Sequence, residues 1–79
     1  MKDVLYFLLQ NIVSHPDDIK IEEAQGEGDG IIFTLHIHKD DMGQVIGKQG
    51  RIIRAIRDLI KLVAAKHNKY VDVVLAEDK

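Results

Sequence analysis

The sequence predicts a two-layer α/β sandwich with the element order α-β-β-α-α-β, in which three helices cover one face of a three-stranded mixed sheet. The chain begins with an amphipathic helical pattern, continues with two alternating segments joined by a glycine-rich turn, and ends with a strand after two more helical segments. Two strands joined by a helical crossover in one sheet are expected to be parallel. We expect residues 1–79 to form a single domain with one modest core.

The first half of the chain predicts a helix and a β-hairpin. Apolar residues recur at helical spacing over residues 2–14, and Asp3 is placed to cap the start of that helix. Ile19–Glu22 alternates apolar and polar residues, as half-buried strands do. Gln25–Gly30 is a glycine-rich turn, and Ile31–His38 is a second strand with its odd-numbered residues directed toward a core.

The second half predicts two helices and a last strand. Asp40 or Asp41 is placed to cap a short helix that runs through Ile46. A long helix follows from about Arg51 to Lys66, and Tyr70–Ala76 alternates as a strand.

The long helix has an apolar side and a cationic side when its residues are placed at about 100° intervals. We expect the core to receive Ile52, Ile56, Leu59, Ile60 and Val63. The opposite side then carries a solvent-exposed stripe of three cations, Arg54, Arg57 and Lys61.

Charge is distributed unevenly along a chain whose formal net charge is only −2. Residues 1–38 contain two lysines against seven carboxylates, whereas residues 39–69 contain eight lysines and arginines against three carboxylates. Such asymmetry predicts one surface that attracts polyanions on a molecule that otherwise repels them.

The most informative segment is the four-residue link Gly47-Lys48-Gln49-Gly50 between the two helices. Glycine permits positive φ and has no Cβ, so another molecule can approach the main chain closely. The free N–H groups at the start of the following helix favour an anion, and Lys48 adds a positive charge. Gln49 can donate hydrogen bonds. The loop therefore suits a sugar-phosphate backbone.

The segment VIGKQGRIIRAI (residues 45–56) resembles the signature of the KH-domain family, in which a hydrophobic pair precedes GXXG and isoleucines follow at helical spacing. The element order resembles the type II KH arrangement over nearly the whole chain. Chain length and the N-terminal helix are most similar to the small stand-alone bacterial members of that family.

The resemblance implies that single-stranded RNA lies in a groove between the GXXG loop and the edge of the last strand, formed by Val71 to Val73, with four nucleotides bound. It implies an RNA chaperone or post-transcriptional regulator that forms a homodimer and pairs with an RNA-binding protein of the KhpB/Jag type. The RNA-binding residues implied are Ile46, Gly47, Lys48, Gln49, Gly50, Arg51 and Arg54. Secondary contacts are expected from Val45, Ile53, Arg57, Lys69 and Val71.

Two alternative functions remain open at this point: an interaction scaffold that uses the fold to dimerise, and binding of single-stranded DNA. We expect no enzymatic activity, cofactor or metal, because no nucleophile-base pair or ligand set is evident. His36 and His38 alternate on one strand, and we expect an exposed pair and not a zinc site. The chain contains no cysteine and no apolar run near the roughly 20 residues of a membrane helix, so we expect a soluble cytoplasmic protein.

Overall fold

The computed structural model describes residues 1–76, which form the predicted order α-β-β-α-α-β. Short 3₁₀ turns at Pro16–Asp18, Lys39–Asp41 and Lys48–Gly50 precede β1, α2 and α3. In chain order the elements are α1 (Lys2–Gln10), β1 (Lys20–Gln25), β2 (Ile31–His36), α2 (Met42–Ile46), α3 (Arg51–Lys66) and β3 (Val71–Leu75). Within this part of the chain, no helix has the length and apolar character needed to cross a bilayer.

The three strands form a mixed sheet with β2 at its centre. β1 runs antiparallel to β2 and places Ile21 opposite Leu35. β3 runs parallel to β2 and places Val73 opposite Phe33. The parallel pairing confirms the prediction for two strands joined by a helical crossover, and it leaves one edge of β3 unpaired by any strand of residues 1–76.

One hydrophobic core lies between the sheet and the helices. Alternate residues of each strand turn toward it, which is the period-2 pattern of a sheet covered on one face. The sheet contributes Ile21, Phe33, Leu35, Val71 and Val73, and the helices contribute Leu5, Leu9, Val45, Ile53, Ile56, Ile60 and Ala64.

The buried face of α3 is rotated from the predicted one. Ile53 and Ala64 are buried, whereas Ile52 and Leu59 are 38% and 42% exposed. Apolar residues cover more than half of the circumference of this helix, so helical spacing alone cannot say which part of that arc meets the sheet. Arg57 was expected to lie opposite the core. The rotation brings it to the edge of the core, where it is half-buried.

The N-terminal helix is shorter than predicted and is not capped by Asp3. α1 ends at Gln10, and a turn in which Leu9 O accepts from the N–H groups of Ile12 and Val13 follows it. Met1 occupies the N-cap position, and no side chain of the described residues makes a capping hydrogen bond there. Asp3 therefore contributes its charge to the first turn without serving as the cap.

Asp41 holds the N-terminal segment against the start of α2. It occupies the N-cap position of α2 but makes no cap bond, and its side chain is almost fully buried. The N–H of Ser14 donates to its Oδ1 and the N–H of His15 to its Oδ2, both at 3.0 Å, and His15 Nδ1 lies 3.1 Å from Oδ2. The carboxylate that was expected to cap a helix thus links two segments 26 residues apart.

Candidate nucleic-acid interface

The Gly47–Gly50 loop is an exposed bend with three left-handed residues. Gly47, Gln49 and Gly50 have φ of 76°, 58° and 73°. Lys48 and Gln49 are both exposed at the tip of the loop. Because positive φ costs little at glycine but roughly 1–2 kcal/mol elsewhere, Gln49 is the strained position of the loop.

The two glycines serve different purposes. A Cβ added at Gly47 would lie 2.5 Å from Cγ1 of Ile52, so Gly47 is required by close packing within the chain. A Cβ added at Gly50 would meet nothing within 4 Å among residues 1–76. The main chain at Gly50 is therefore open to an approaching molecule.

Cationic side chains surround the N-terminus of α3. Gly50 is the N-cap residue and its N–H donates to Gly47 O at 3.2 Å, while the N–H of Arg51 donates to Lys48 O. Arg51 and Arg54 are exposed, and Arg51 Nη2 lies 3.5 Å from Oε1 of Gln49. Although the N–H groups of Gly50 and Arg51 are already bonded, the positive end of the helix dipole and the nearby arginines favour an anion such as phosphate at this helix start.

The hydrophobic residues around the loop form its support. Val45 is fully buried and Ile53 nearly so, which places both side chains in the core. Ile46 is half-buried and packs against that core from the loop side. Of these three predicted contacts, only Ile46 therefore presents apolar surface beside the loop.

The free edge of β3 forms the wall opposite α3. Tyr70 O accepts from Ile31 N–H at 2.8 Å and Ala76 N–H donates to Leu35 O at 2.9 Å, so even-numbered residues here face β2. The N–H and C=O groups of Val71 and Val73 consequently point toward the free edge. The Val71 side chain itself is buried.

Hydrogen bonds within the chain already occupy this edge at Val73. Arg57 Nε donates to Val73 O at 3.1 Å, and Val73 N–H donates to Oδ1 of Asp72 at 2.9 Å. Lys61 Nζ lies 3.8 Å from the same Asp72 oxygen. Arg57 thus bridges α3 and β3, a role that its place among the arginines did not indicate.

The predicted contacts fall into two groups along α3. Gly47–Gly50, Arg51 and Arg54 cluster at its N-terminal end, whereas Lys69 lies past its C-terminal end, beside Tyr70 and the start of β3. Asp72 and Tyr70 lie on the same side of the molecule as Lys69, but they were not among the predicted contacts because no motif includes them. Only the pairing of β3 with β2 reveals which side of that strand they occupy.

Two of the histidines, His15 and His38, lie together in the structure. The rings of His15 and His38 stack with centroids 4.0 Å apart. Asp40 N–H donates to His38 Nδ1 at 3.0 Å, which occupies the lone pair of that nitrogen. His36 instead pairs with Glu22 across the hairpin. A ring nitrogen of His15, a ring nitrogen of His38 and a carboxylate oxygen of Asp40 lie within 4.8 Å of one another. The stacked rings join the N-terminal segment to the turn that precedes α2.

Comparison with known proteins places this geometry in a family. The family model described as KhpA/KhpB, KH domain, matches residues 2–75. A protein named RNA-binding protein KhpA from Chlamydia caviae is 43% identical over 79 residues, covering all of both chains. Proteins of the same name from Clostridium acetobutylicum and Listeria monocytogenes are 47% and 35% identical, covering 92% and 98% of this chain and 96% and 100% of their own.

Proposed function

The chain belongs to the KhpA/KhpB family of KH-domain proteins, and from this premise we propose that it binds single-stranded RNA across the Gly47–Gly50 loop. The observation that carries the proposal is the exposed bend at the N-terminus of α3, where the main chain of Gly50 is open and Lys48, Arg51 and Arg54 lie beside it. Through this binding the protein acts as an RNA chaperone or post-transcriptional regulator.

The contacts divide by chemistry. Lys48, Gln49 and the loop amides hold the sugar-phosphate backbone, while Arg51 and Arg54 add positive charge along α3. Ile46 supplies apolar surface toward the bases. With two or three phosphates neutralised, the logarithm of the affinity should fall with the logarithm of salt concentration with a slope of only about −1.4 to −2.

A double substitution tests the loop. We expect Lys48→Asp with Gln49→Asp to abolish RNA binding, because it places two carboxylates where the phosphates would lie. Circular dichroism and melting temperature should stay near wild type, because neither side chain belongs to the core. Fluorescence anisotropy with a labelled single-stranded RNA measures the affinity.

A matched control variant distinguishes an effect of the loop from an effect of the change in net charge. Lys20→Asp with Gln25→Asp changes the same residue types at exposed positions of β1, at the opposite edge of the sheet. This variant should lose much less affinity than the loop variant. If both variants lose the same affinity, the loss reflects net charge and not the loop. If the loop variant binds RNA as tightly as wild type, the loop is not the RNA-binding site. Competition with a DNA oligomer of the same sequence measures the preference for RNA.

Dimerisation is the second part of the proposal. Ile52, Leu59 and Leu62 form an exposed apolar stripe on α3, with Leu62 69% exposed. At 100° per residue the members of this stripe lie roughly 100–180° from the cations Arg57 and Lys61 around the helix. A second chain could cover the stripe while leaving the cationic side open, so a homodimer or a heterodimer with a KhpB/Jag-type protein is compatible with RNA binding. In a dimer, two linked RNA-binding grooves also raise the overall affinity although each groove alone binds weakly. The exposed stripe equally supports the alternative in which the fold acts mainly as an interaction scaffold.

A further inference from the structure

A cleft lies at the C-terminal end of α3, between this helix and the start of β3. Its volume is about 230 Å³, several times the roughly 30 Å³ that one water occupies in the liquid. The C-terminal half of α3 forms one wall and the start of β3 forms the other. The residues that line it are Lys61, Ala65, Lys69, Tyr70 and Val71.

Tyr70 is the unusual member of this set. Its side chain is 83% exposed, the highest value among the large apolar and aromatic residues of the described part of the chain. Its main chain is fixed, because Tyr70 O accepts from Ile31 N–H at 2.8 Å at the beginning of the β2–β3 pairing. An aromatic ring projecting into water from a fixed main chain can stack on a nucleobase with little loss of conformational entropy.

Charged side chains of both signs lie around Tyr70, with lysines toward α3 and carboxylates on its other side. Lys61 and Lys69 line the cleft between Tyr70 and α3. Lys61 Nζ lies 3.8 Å from Oδ1 of Asp72, whereas Lys69 makes no ion pair among residues 1–76. Glu27 and Asp29 lie on the other side of Tyr70, in a pocket that Lys69 also lines. The ammonium group of Lys69 is therefore the cation that can attract a phosphate next to a stacked base.

A row of cations leads along α3 from the proposed RNA-binding loop toward the cleft. Arg54, Arg57 and Lys61 follow one side of α3 from the loop toward Ala65. The distance along the helix from Gly50 to Ala65 is roughly 22 Å, at about 1.5 Å per residue. A strand held at the Gly47–Gly50 loop can follow these cations into the cleft.

We propose that Tyr70, together with Lys61 and Lys69, forms a stacking subsite for one nucleobase of the RNA strand bound at the Gly47–Gly50 loop. This inference rests on the proposed function and extends the binding footprint beyond the loop. Because every base has a π-face, the subsite adds affinity and tolerates any base.

Two RNA lengths and an alanine variant test the subsite. We expect Tyr70→Ala to weaken binding of an oligoribonucleotide of about eight nucleotides by roughly 5- to 160-fold, the range given by loss of one base-aromatic stack. Binding of a fragment of about four nucleotides, long enough only for the loop, should stay unchanged. Tyr70→Phe should bind both as wild type does, and the melting temperature of all variants should be equal because the side chain is exposed.

A tryptophan substitution reports the contact directly. The chain contains no tryptophan, so Tyr70→Trp introduces a single fluorophore at the subsite. Its emission should be quenched by the longer RNA and not by the shorter one. Tyr6→Trp on α1, at a position 41% exposed, provides the matched control and should not respond.

The possible failures are distinguishable. If wild type binds the longer RNA but Tyr70→Ala binds it equally well and the Tyr70→Trp emission is not quenched, the subsite is wrong and the loop proposal stands. Equal weakening of both RNA lengths would also overturn a separate subsite. A concentration-dependent emission shift of Tyr70→Trp without RNA would place the ring in a protein interface and overturn the subsite. If wild type binds neither RNA, the proposed function itself fails.

Discussion

Gly47 illustrates how one residue can be required for two independent reasons. Its φ of 76° disfavours any side chain, and the position of its missing Cβ is occupied by Ile52 from the first turn of α3. Gly50 shares the positive φ, at 73°, but has open space around it. The same motif therefore contains one glycine that packs the loop and one that exposes it.

We expect Gly47→Ala to lower the free energy of unfolding by about 2–4 kcal/mol, combining left-handed strain with a clash against Ile52. Gly28→Ala is the matched control, because Gly28 has φ of 59° and no atom of the described residues within 4 Å of the added Cβ. Only the conformational part of the cost, about 1–2 kcal/mol, should appear there. Urea denaturation measures both values, and equal losses would show that the contact with Ile52 is easily relieved.

At the scale of elements, Asp41 connects the N-terminal segment to α2, which leads directly into the Gly47–Gly50 loop. Burial disfavours the charged form of this carboxyl, but the hydrogen bonds from Ser14 N–H and from the ring and N–H of His15 outweigh it. The pKa of Asp41 consequently lies below its ordinary value. The charged carboxylate therefore stabilises the folded state at neutral pH.

This shift predicts a pH dependence of stability. Since the folded pKa of Asp41 is lowered, its contribution is present above the unfolded pKa of about 4 and is lost as pH falls through the folded value. Asp41→Asn should lower the melting temperature at pH 7, and its difference from wild type should shrink in acid. Asp40→Asn, an exposed neighbour, should change the melting temperature little. A constant difference between Asp41→Asn and wild type from about pH 7 to about pH 3 would contradict this.

For the whole molecule, the important feature is the separation of two surfaces on α3. The cations face the free edge of β3, where Arg57 bonds Val73, and the apolar stripe lies on another side. The acidic residues Glu22 and Glu23 lie on β1, at the opposite edge of the sheet. Under the proposed function, we expect RNA on the cationic side and a protein partner on the apolar stripe.

We expect Leu59→Glu with Leu62→Glu to convert a dimer to a monomer, because two carboxylates would have to be buried in the interface. Sedimentation equilibrium measures the association state. Phe7→Glu, a similarly exposed apolar position on α1, should leave it unchanged. The monomer should still bind RNA, with lower apparent affinity than the dimer. If the α3 variant stays dimeric, the interface lies elsewhere.

The element order, the parallel crossover and the position of the loop could be predicted from residue spacing, because apolar periodicity and glycine placement are local properties of the chain. The part of the apolar arc of α3 that meets the sheet could not be predicted, because it depends on how α3 packs; this packing leaves Ile52 exposed and allows Arg57 to donate a hydrogen bond to Val73 O. Likewise, the contact of Asp41 with Ser14 joins residues 27 apart. Such contacts depend on how whole elements pack, and local spacing contains no information about that.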